Sequence, residues 1–253
     1  MGKVYFIGAG PGDPELITVK GQRIIREAGL VLYAGSLVPE AAIAEARQDA
    51  RIENSASMSL EETDRIMQEH ASKGEIVARV HTGDPALYGA VQEQARLLRE
   101  AGIEYEVIPG VTSACAAAAA SSASFTVPGG TQTLILTRMA GRTPVPESES
   151  LQKLAEHNSA MAIYLSAGNP MGIQEQLLAG GMEPSTPVIL SYRIGWPEEK
   201  SVPTTLEKLA ETAEQNNFTR QTIFLILPGK DSDSESLLYD SGFSHMFRKE
   251  SNS

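Results

Sequence analysis

The sequence is short of several things, and each shortage excludes something. It has one cysteine, Cys115, so no internal disulfide can form and a reducing, cytoplasmic setting fits. Its 21 lysines and arginines are outnumbered by 32 aspartates and glutamates, for a formal net charge of −11. That balance argues against a nucleic-acid or anionic-membrane surface, either of which needs a basic face. No apolar run approaches the ~18 residues of a membrane helix. The N-terminus enters a strand-like VYFIGAG without the ordered regions of a targeting peptide. The four histidines, His70, His81, His157 and His245, are scattered and unpaired in spacing, so no metal site is expected. The Walker pattern and the Gly-x-Ser-x-Gly elbow are both missing, and Cys115 has no reactive context.

What remains is a chain of 253 residues, 42% of them hydrophobic, enough for one large or two modest cores. Short β-branched runs alternate with amphipathic stretches. Strands are expected at Val4–Ile7, Leu30–Tyr33, Ile76–His81 and Tyr105–Ile108, with helices at Glu15–Ala28, Glu40–Ala46, Leu60–Ser72 and Leu87–Ala101. Asn54–Leu60 reads as a linking loop. An alanine-rich helix follows within 111–125. A second series places strands at Thr133–Leu136, Met161–Leu165, Val188–Ser191 and Thr222–Leu227, and helices at Leu151–Glu156, Gly172–Ala179 and Leu206–Gln215. Between them lies a long polar loop, Thr137–Ser150. The pattern predicts an α/β protein of two α/β domains with mostly parallel sheets, 1–125 and 126–253. The DSDSES run at 231–236 reads as mobile, and the LLYDSGFSHMF run after it as apolar enough to dock.

One local pattern occurs three times: a strand, then Gly-Asp/Asn-Pro, then a helix, at Gly12-Asp13-Pro14, Gly83-Asp84-Pro85 and Gly168-Asn169-Pro170. Asp or Asn can cap the helix and Pro can occupy its first position, so each turn is self-sufficient as structure. All three lie at strand carboxyl ends, where open α/β sheets bind ligands. The first raises the question of the ligand. A dinucleotide fingerprint needs Gly-x-Gly-x-x-Gly. Here Gly8-Ala9-Gly10-Pro11-Gly12 runs into Asp13, and Pro11 and Pro14 have no N–H to offer a pyrophosphate. The acid expected on a ribose after the second strand is missing from Leu32–Ser36. A phosphate-free, cationic adenosine ligand suits these loops better, and S-adenosylmethionine fits that description.

Gly8–Thr18 (GAGPGDPELIT) resembles the opening of the tetrapyrrole methylases, which are S-adenosylmethionine-dependent enzymes of two α/β domains. Arg79–Gly89, Glu106–Ala119, Ala162–Pro170, Ser191–Lys200 and Thr219–Leu227 resemble further motifs of that family in the same order. Within it, Val31–Glu40 (VLYAGSLVPE) and the tail LLYDSGFSHMFRK are similar to the branch that methylates C11 of precorrin-4, with or without cobalt. The resemblance implies a cofactor cleft between the domains and a homodimer. Carried over by position, the S-adenosylmethionine contacts would be Pro11, Thr82, Gly83, Asp84, Leu87, Thr112, Ser113, Leu165, Ile194 and Thr222. Ile194 stands where the family has a small residue, and Gly195 where Thr is commoner. The alternatives stay open: Asp84, Thr112 and Ser113 could serve only as caps, and Leu165 and Ile194 as core. The substrate would be a polycarboxylated tetrapyrrole. In so acidic a chain it needs local cations, for which Arg138, Arg142 and Arg193 are the candidates. Ser36 either faces the ring or is a turn residue, and His81 either reaches the site or is structural. No general base is nominated. A binding module without turnover and a nicotinamide oxidoreductase are the competing function classes.

Overall fold

The computed structural model describes residues 2–229 and 236. The chain forms two compact units. The first takes the residues up to 116 together with 193–199, and the second takes 117–192 with the described residues from 200 onward. The division falls inside α4 (Ser113–Ala120), the alanine-rich helix, rather than in the stretch around 125.

The first unit is built on β1 (Val4–Gly8), β2 (Leu30–Tyr33), β3 (Arg51–Asn54), β4 (Val77–His81) and β5 (Tyr105–Ile108). They lie in the order β3-β2-β4-β1-β5, and every neighbouring pair is parallel. Successive strand side chains point to opposite faces, and both faces here are apolar. Ile7, Val31 and Val80 pack on Ile24 and Ile25 of α1 (Val19–Glu27). Phe6, Leu32 and Val77 pack on Met67 of α2 (Leu60–Ser72) and Leu98 of α3 (Val91–Glu100). A parallel sheet covered on both faces requires such continuous apolar runs. Helix α2 starts at a reciprocal capping box: the Glu62 amide donates to Ser59 Oγ (3.2 Å) and the Ser59 amide to Glu62 Oε2 (2.7 Å).

The second unit holds β6 (Leu134–Arg138), β7 (Ala160–Tyr164), β8 (Pro187–Tyr192), β9 (Lys200–Thr205) and β10 (Thr222–Ile226), in the order β6-β7-β10-β8-β9. Only β6 and β7 run parallel, and the other three pairs are antiparallel. Parallel pairing thus dominates the chain through the first sheet. Met161, Ile163, Leu190 and Phe224 pack against α5 (Leu151–Ala155), α6 (Pro170–Ala179) and α7 (Leu209–Gln215).

Two strands differ from the sequence reading. Strand β3 is RIEN, an edge strand with one apolar residue, exposed. Strand β9 carries Pro203, which only an edge strand tolerates. Of the three Gly-Asp/Asn-Pro turns, only Asn169 caps a full helix, with its Oδ1 accepting from the Gly172 amide at 2.9 Å. Asp13 starts a single 3-10 turn, Pro14–Leu16, and after Asp84 the helix begins only at Val91. The DSDSES and LLYDSGFSHMFRK expectations and His245 lie outside the described residues, apart from Ser236.

At the edge of the first sheet, Glu106 of β5 accepts from both Lys20 and Lys3. These two ammonium groups hold its carboxyl at about 2, Lys20 contributing most. A depressed folded pKa gives stability that is present above the unfolded value and is lost as pH falls from about 4.5 toward about 2. In a carboxyl-detected NMR titration Glu106 should show a midpoint near 2, and Lys20→Ala should raise it. A midpoint of 4.5 in the unsubstituted protein would refute the cluster.

Candidate active site

The carboxyl ends of β4, β1 and β5 bring three loops together through glycine. A Cβ on Gly8 would lie 2.6 Å from the Gly83 carbonyl oxygen and from Gly110 Cα, and one on Gly110 would lie 2.2 Å from that same oxygen. No real side chain fits either position. The loops are also stitched by backbone. The Ala9 amide donates to His81 O (2.8 Å), Gly10 N to Gly83 O (3.3 Å) and Gly83 N to Gly10 O (2.7 Å). The amides of Ala9 and Gly10, which a Rossmann-type loop would leave open, are therefore spent on the end of β4 and the loop after it, and Pro11 has none.

Asp84 completes the junction. Its Oδ1 accepts from the Ala86 amide (2.8 Å) and its Oδ2 from the Gly110 amide (3.0 Å). The carboxylate thus caps its own turn and ties the loop after β4 to the loop after β5. Thr82 and Gly83 are half-buried beside it, and Thr112 Cα lies 3.9 Å from the Cβ position of Gly83. Ser113 begins α4, and Leu87, half-buried, closes the turn with its amide on Asp84 O (3.1 Å). The structure therefore groups Thr82, Gly83, Asp84 and Thr112 around one point. The segment beyond is strained. Tyr88 and Ala90, on either side of Gly89, sit at φ +57 and +48. Such left-handed conformations in non-glycine residues cost on the order of 1–3 kcal/mol each and concentrate at functional loops.

Pro11 and Gly12 are buried under Trp196. The indole Nε1 donates to Pro11 O (3.2 Å), and a Cβ on Gly12 would lie 2.3 Å from Trp196 Cδ1. Arg193, at φ +45, lays its guanidinium 4.3 Å from the indole centroid and pairs with Glu198 at 3.2 Å. Ile194 is buried. Gly12, Asp13, Pro39, Arg193 and Trp196 line an open pocket of about 580 Å³ in this unit. Nothing in the sequence pattern singled out Trp196. Its signal is that it is the only tryptophan.

Ser36 is exposed at the tip of the loop after β2. The root of that loop is pinned from β3 and the turn that follows it: Gly35 N donates to Asn54 Oδ1 (3.2 Å), and Ser55 Oγ to Tyr33 O (3.2 Å). Beneath them lies Arg79, only 8% exposed. Its Nη1 donates to Ser55 Oγ (2.9 Å) and Leu32 O (3.3 Å), and its Nε to Gln94 Oε1 (2.9 Å). No carboxylate among the described residues pairs with it, and burial pushes the guanidinium down to about 10. His81 is buried against Phe6. Burial first, then the charge of Arg79, hold its imidazole down to about 3, so it stays neutral. This network escaped the sequence reading. Its one signal was an arginine flanked by apolar residues inside a buried strand.

The remaining candidates lie in the second unit. Leu165 follows β7 at φ +53 and is 67% exposed, so it is not a core residue. Thr222 is buried at the start of β10, its hydroxyl on Arg220 O (3.0 Å). Arg138 holds its own loop, donating to Thr143 O (3.2 Å) and Pro144 O (2.8 Å). Arg142 is exposed on that loop. Among the described residues there is no His/Cys/Asp/Glu group that could hold a metal, and no helix is long and apolar enough to cross a membrane.

The model of the tetrapyrrole (corrin/porphyrin) methylases matches residues 3–210. A cobalt-precorrin-4 C(11)-methyltransferase from Priestia megaterium is 46% identical over 254 residues, spanning 98% of this chain and 98% of that protein. The X-ray structure of a cobalt precorrin-4 methyltransferase, a cobalamin biosynthetic enzyme, aligns with a TM-score of 0.87 at 46% identity, covering 89% of this chain and 94% of the other. A uroporphyrin-III C-methyltransferase from Thermus thermophilus, solved with S-adenosylhomocysteine, aligns with a TM-score of 0.73 at 28% identity over 89% of this chain and 97% of its own.

Because both Asp84 oxygens accept from backbone amides, Asp84→Ala releases the exposed Ala86 amide and strands the half-buried amide of Gly110. It should lower the unfolding free energy by about 2 kcal/mol, and Asp84→Asn, with one carbonyl oxygen left, by about half of that. Urea unfolding measures both, and an Asp84→Ala variant as stable as the parent would rule out the staple.

Proposed function

We infer the reaction from one premise: the chain belongs to the tetrapyrrole (corrin/porphyrin) methylase family. It is an S-adenosylmethionine-dependent C-methyltransferase that methylates C11 of precorrin-4, as cobalt-precorrin-4 or the metal-free ring, in cobalamin biosynthesis. The observation that carries the cofactor is the engagement of the Ala9, Gly10 and Gly83 amides. Gly10 and Gly83 exchange their N–H groups with each other, and Pro11 has none. Those donors are lost to a pyrophosphate. S-adenosylmethionine has no phosphate and presents cations, which suit a junction bearing Asp13 and Asp84.

In this reading the first unit holds the cofactor through Pro11, Thr82, Gly83, Asp84 and Leu87, with Thr112, Ser113 and Ile194 beside them, and Leu165 and Thr222 remain proposed contacts from the second. When bound, S-adenosylmethionine supplies a methyl group already activated by its sulfonium. The protein's own part is alignment and exclusion of water, which can account for about 7–11 kcal/mol of a bimolecular barrier. Asp84 also holds the Gly83 and Gly110 loops in register. No side chain here is assigned proton transfer: His81 is buried and neutral, and Asp84 is occupied by amides. Among the substrate residues, Ser36 presents a hydroxyl on an exposed loop. Arg193 would exchange Glu198 for a ring carboxylate while staying against Trp196. Arg138 and Arg142 offer the further charges that a polycarboxylate needs in an acidic protein.

The family and the lone cysteine support a cytoplasmic setting, and the homodimer rests on the family alone. Light scattering should give twice the chain mass, and a monomer at assay concentration would remove the dimer from the reading. Purified protein given S-adenosylmethionine and either precorrin-4 or its cobalt form should release S-adenosylhomocysteine in proportion to product. ¹³C labelling should put the new methyl on C11. Methylation at another ring carbon would assign a sister activity, and binding without turnover would leave a binding module.

A further inference from the structure

We propose that Arg79 is a positioning residue that holds the loop after β2 and the loop after β4 in one fixed relation, through Ser55 on one side and Gln94 on the other. The proposal rests on the reading above, in which the first loop meets the tetrapyrrole and the second meets the cofactor. A guanidinium that is 8% exposed and has no carboxylate partner is an expensive way to fill a core. An apolar side chain of similar volume is often at least as stable. Its burial therefore calls for a role other than packing.

The hydrogen bonds show where its donors go. On one side Nη1 holds Ser55 Oγ and Leu32 O. Ser55 holds the carbonyl of Tyr33, and its neighbour Asn54 holds the amide of Gly35, so the polypeptide on the N-terminal side of Ser36 is fixed from below. On the other side Nε holds Gln94 Oε1, and Gln94 Nε2 donates to the carbonyl of Ala90 at 3.0 Å. Ala90 is the left-handed residue that precedes α3, at its N-cap, and its own side chain makes no capping bond. A strained residue persists only where its surroundings over-determine it, and here the Gln94 amide provides that hold at the root of the segment 82–90. The planar fork of arginine reaches both sides at once, while a lysine ammonium, a compact charge on a flexible stem, cannot reproduce that geometry.

Three variants separate the arms. Ser55→Ala cuts the first, Gln94→Met cuts the second, and Arg79→Lys keeps the charge and loses the fork. Hydrogen exchange at Gly35, Leu37 and Val38 reads one loop, and exchange at Gly83 and Leu87 reads the other. Ser55→Ala should speed exchange in the first loop alone and raise KM for the tetrapyrrole about tenfold, with S-adenosylhomocysteine affinity unchanged within about twofold. Gln94→Met should do the reverse, and Arg79→Lys should release both loops. Exchange that changes without any KM split, or arm variants indistinguishable from the parent, would overturn the proposal. If Arg79→Lys does not fold, the two arm variants decide. Parent protein that binds no S-adenosylmethionine and methylates nothing overturns the functional reading instead, and the exchange pattern still decides whether Arg79 links the loops.

Discussion

Three backbones meeting without side chains are the constraint on which the rest of the first unit depends. Gly8, Gly83 and Gly110 come from the ends of β1, β4 and β5, strands that the order β3-β2-β4-β1-β5 makes adjacent. Because a Cβ at Gly8 or Gly110 would overlap a neighbouring backbone, the loops can approach closely enough to exchange their own amides. That exchange decides the chemistry. Amides engaged with a neighbouring loop are not offered to a phosphate, and the same closeness allows one carboxylate, Asp84, to reach a second loop.

The charge distribution follows a similar economy. The chain carries a net charge of −11, yet one of its cations is buried among neutral acceptors. Arg79 has its donors on a serine, a glutamine and a carbonyl, so its charge is solvated by fixed dipoles and is not cancelled by an acid. Arg193 and Arg138, by contrast, are engaged at their own loops, one on Glu198 and Trp196 and the other on carbonyls.

Much of this was legible in the residues. Leu30–Tyr33 and Leu60–Ser72 follow directly from apolar runs and a 3.6-residue period, and the missing third glycine pointed away from dinucleotides. What was not legible had physical reasons. Strand β3 shows no apolar alternation because it lies at an edge, and β9 hides behind Pro203. The turn at Asp84 reads as a helix start, but the carboxylate also binds Gly110, 26 residues away, and local pattern carries no trace of such a partner. The network from Arg79 to Ser55 and Gln94 joins segments distant in sequence and could be seen only once folded.

Trp196 has an optical consequence. It is the single indole in the chain, hydrogen-bonded to Pro11 and covered by the guanidinium of Arg193. All tryptophan emission from the protein therefore originates at the glycine-proline loop. Any rearrangement of that loop changes both the donor bond and the overlying charge that set the fluorophore's energy. The molecule carries a built-in spectroscopic gauge of the segment that opens its first domain, with no second chromophore of its kind to blur the signal.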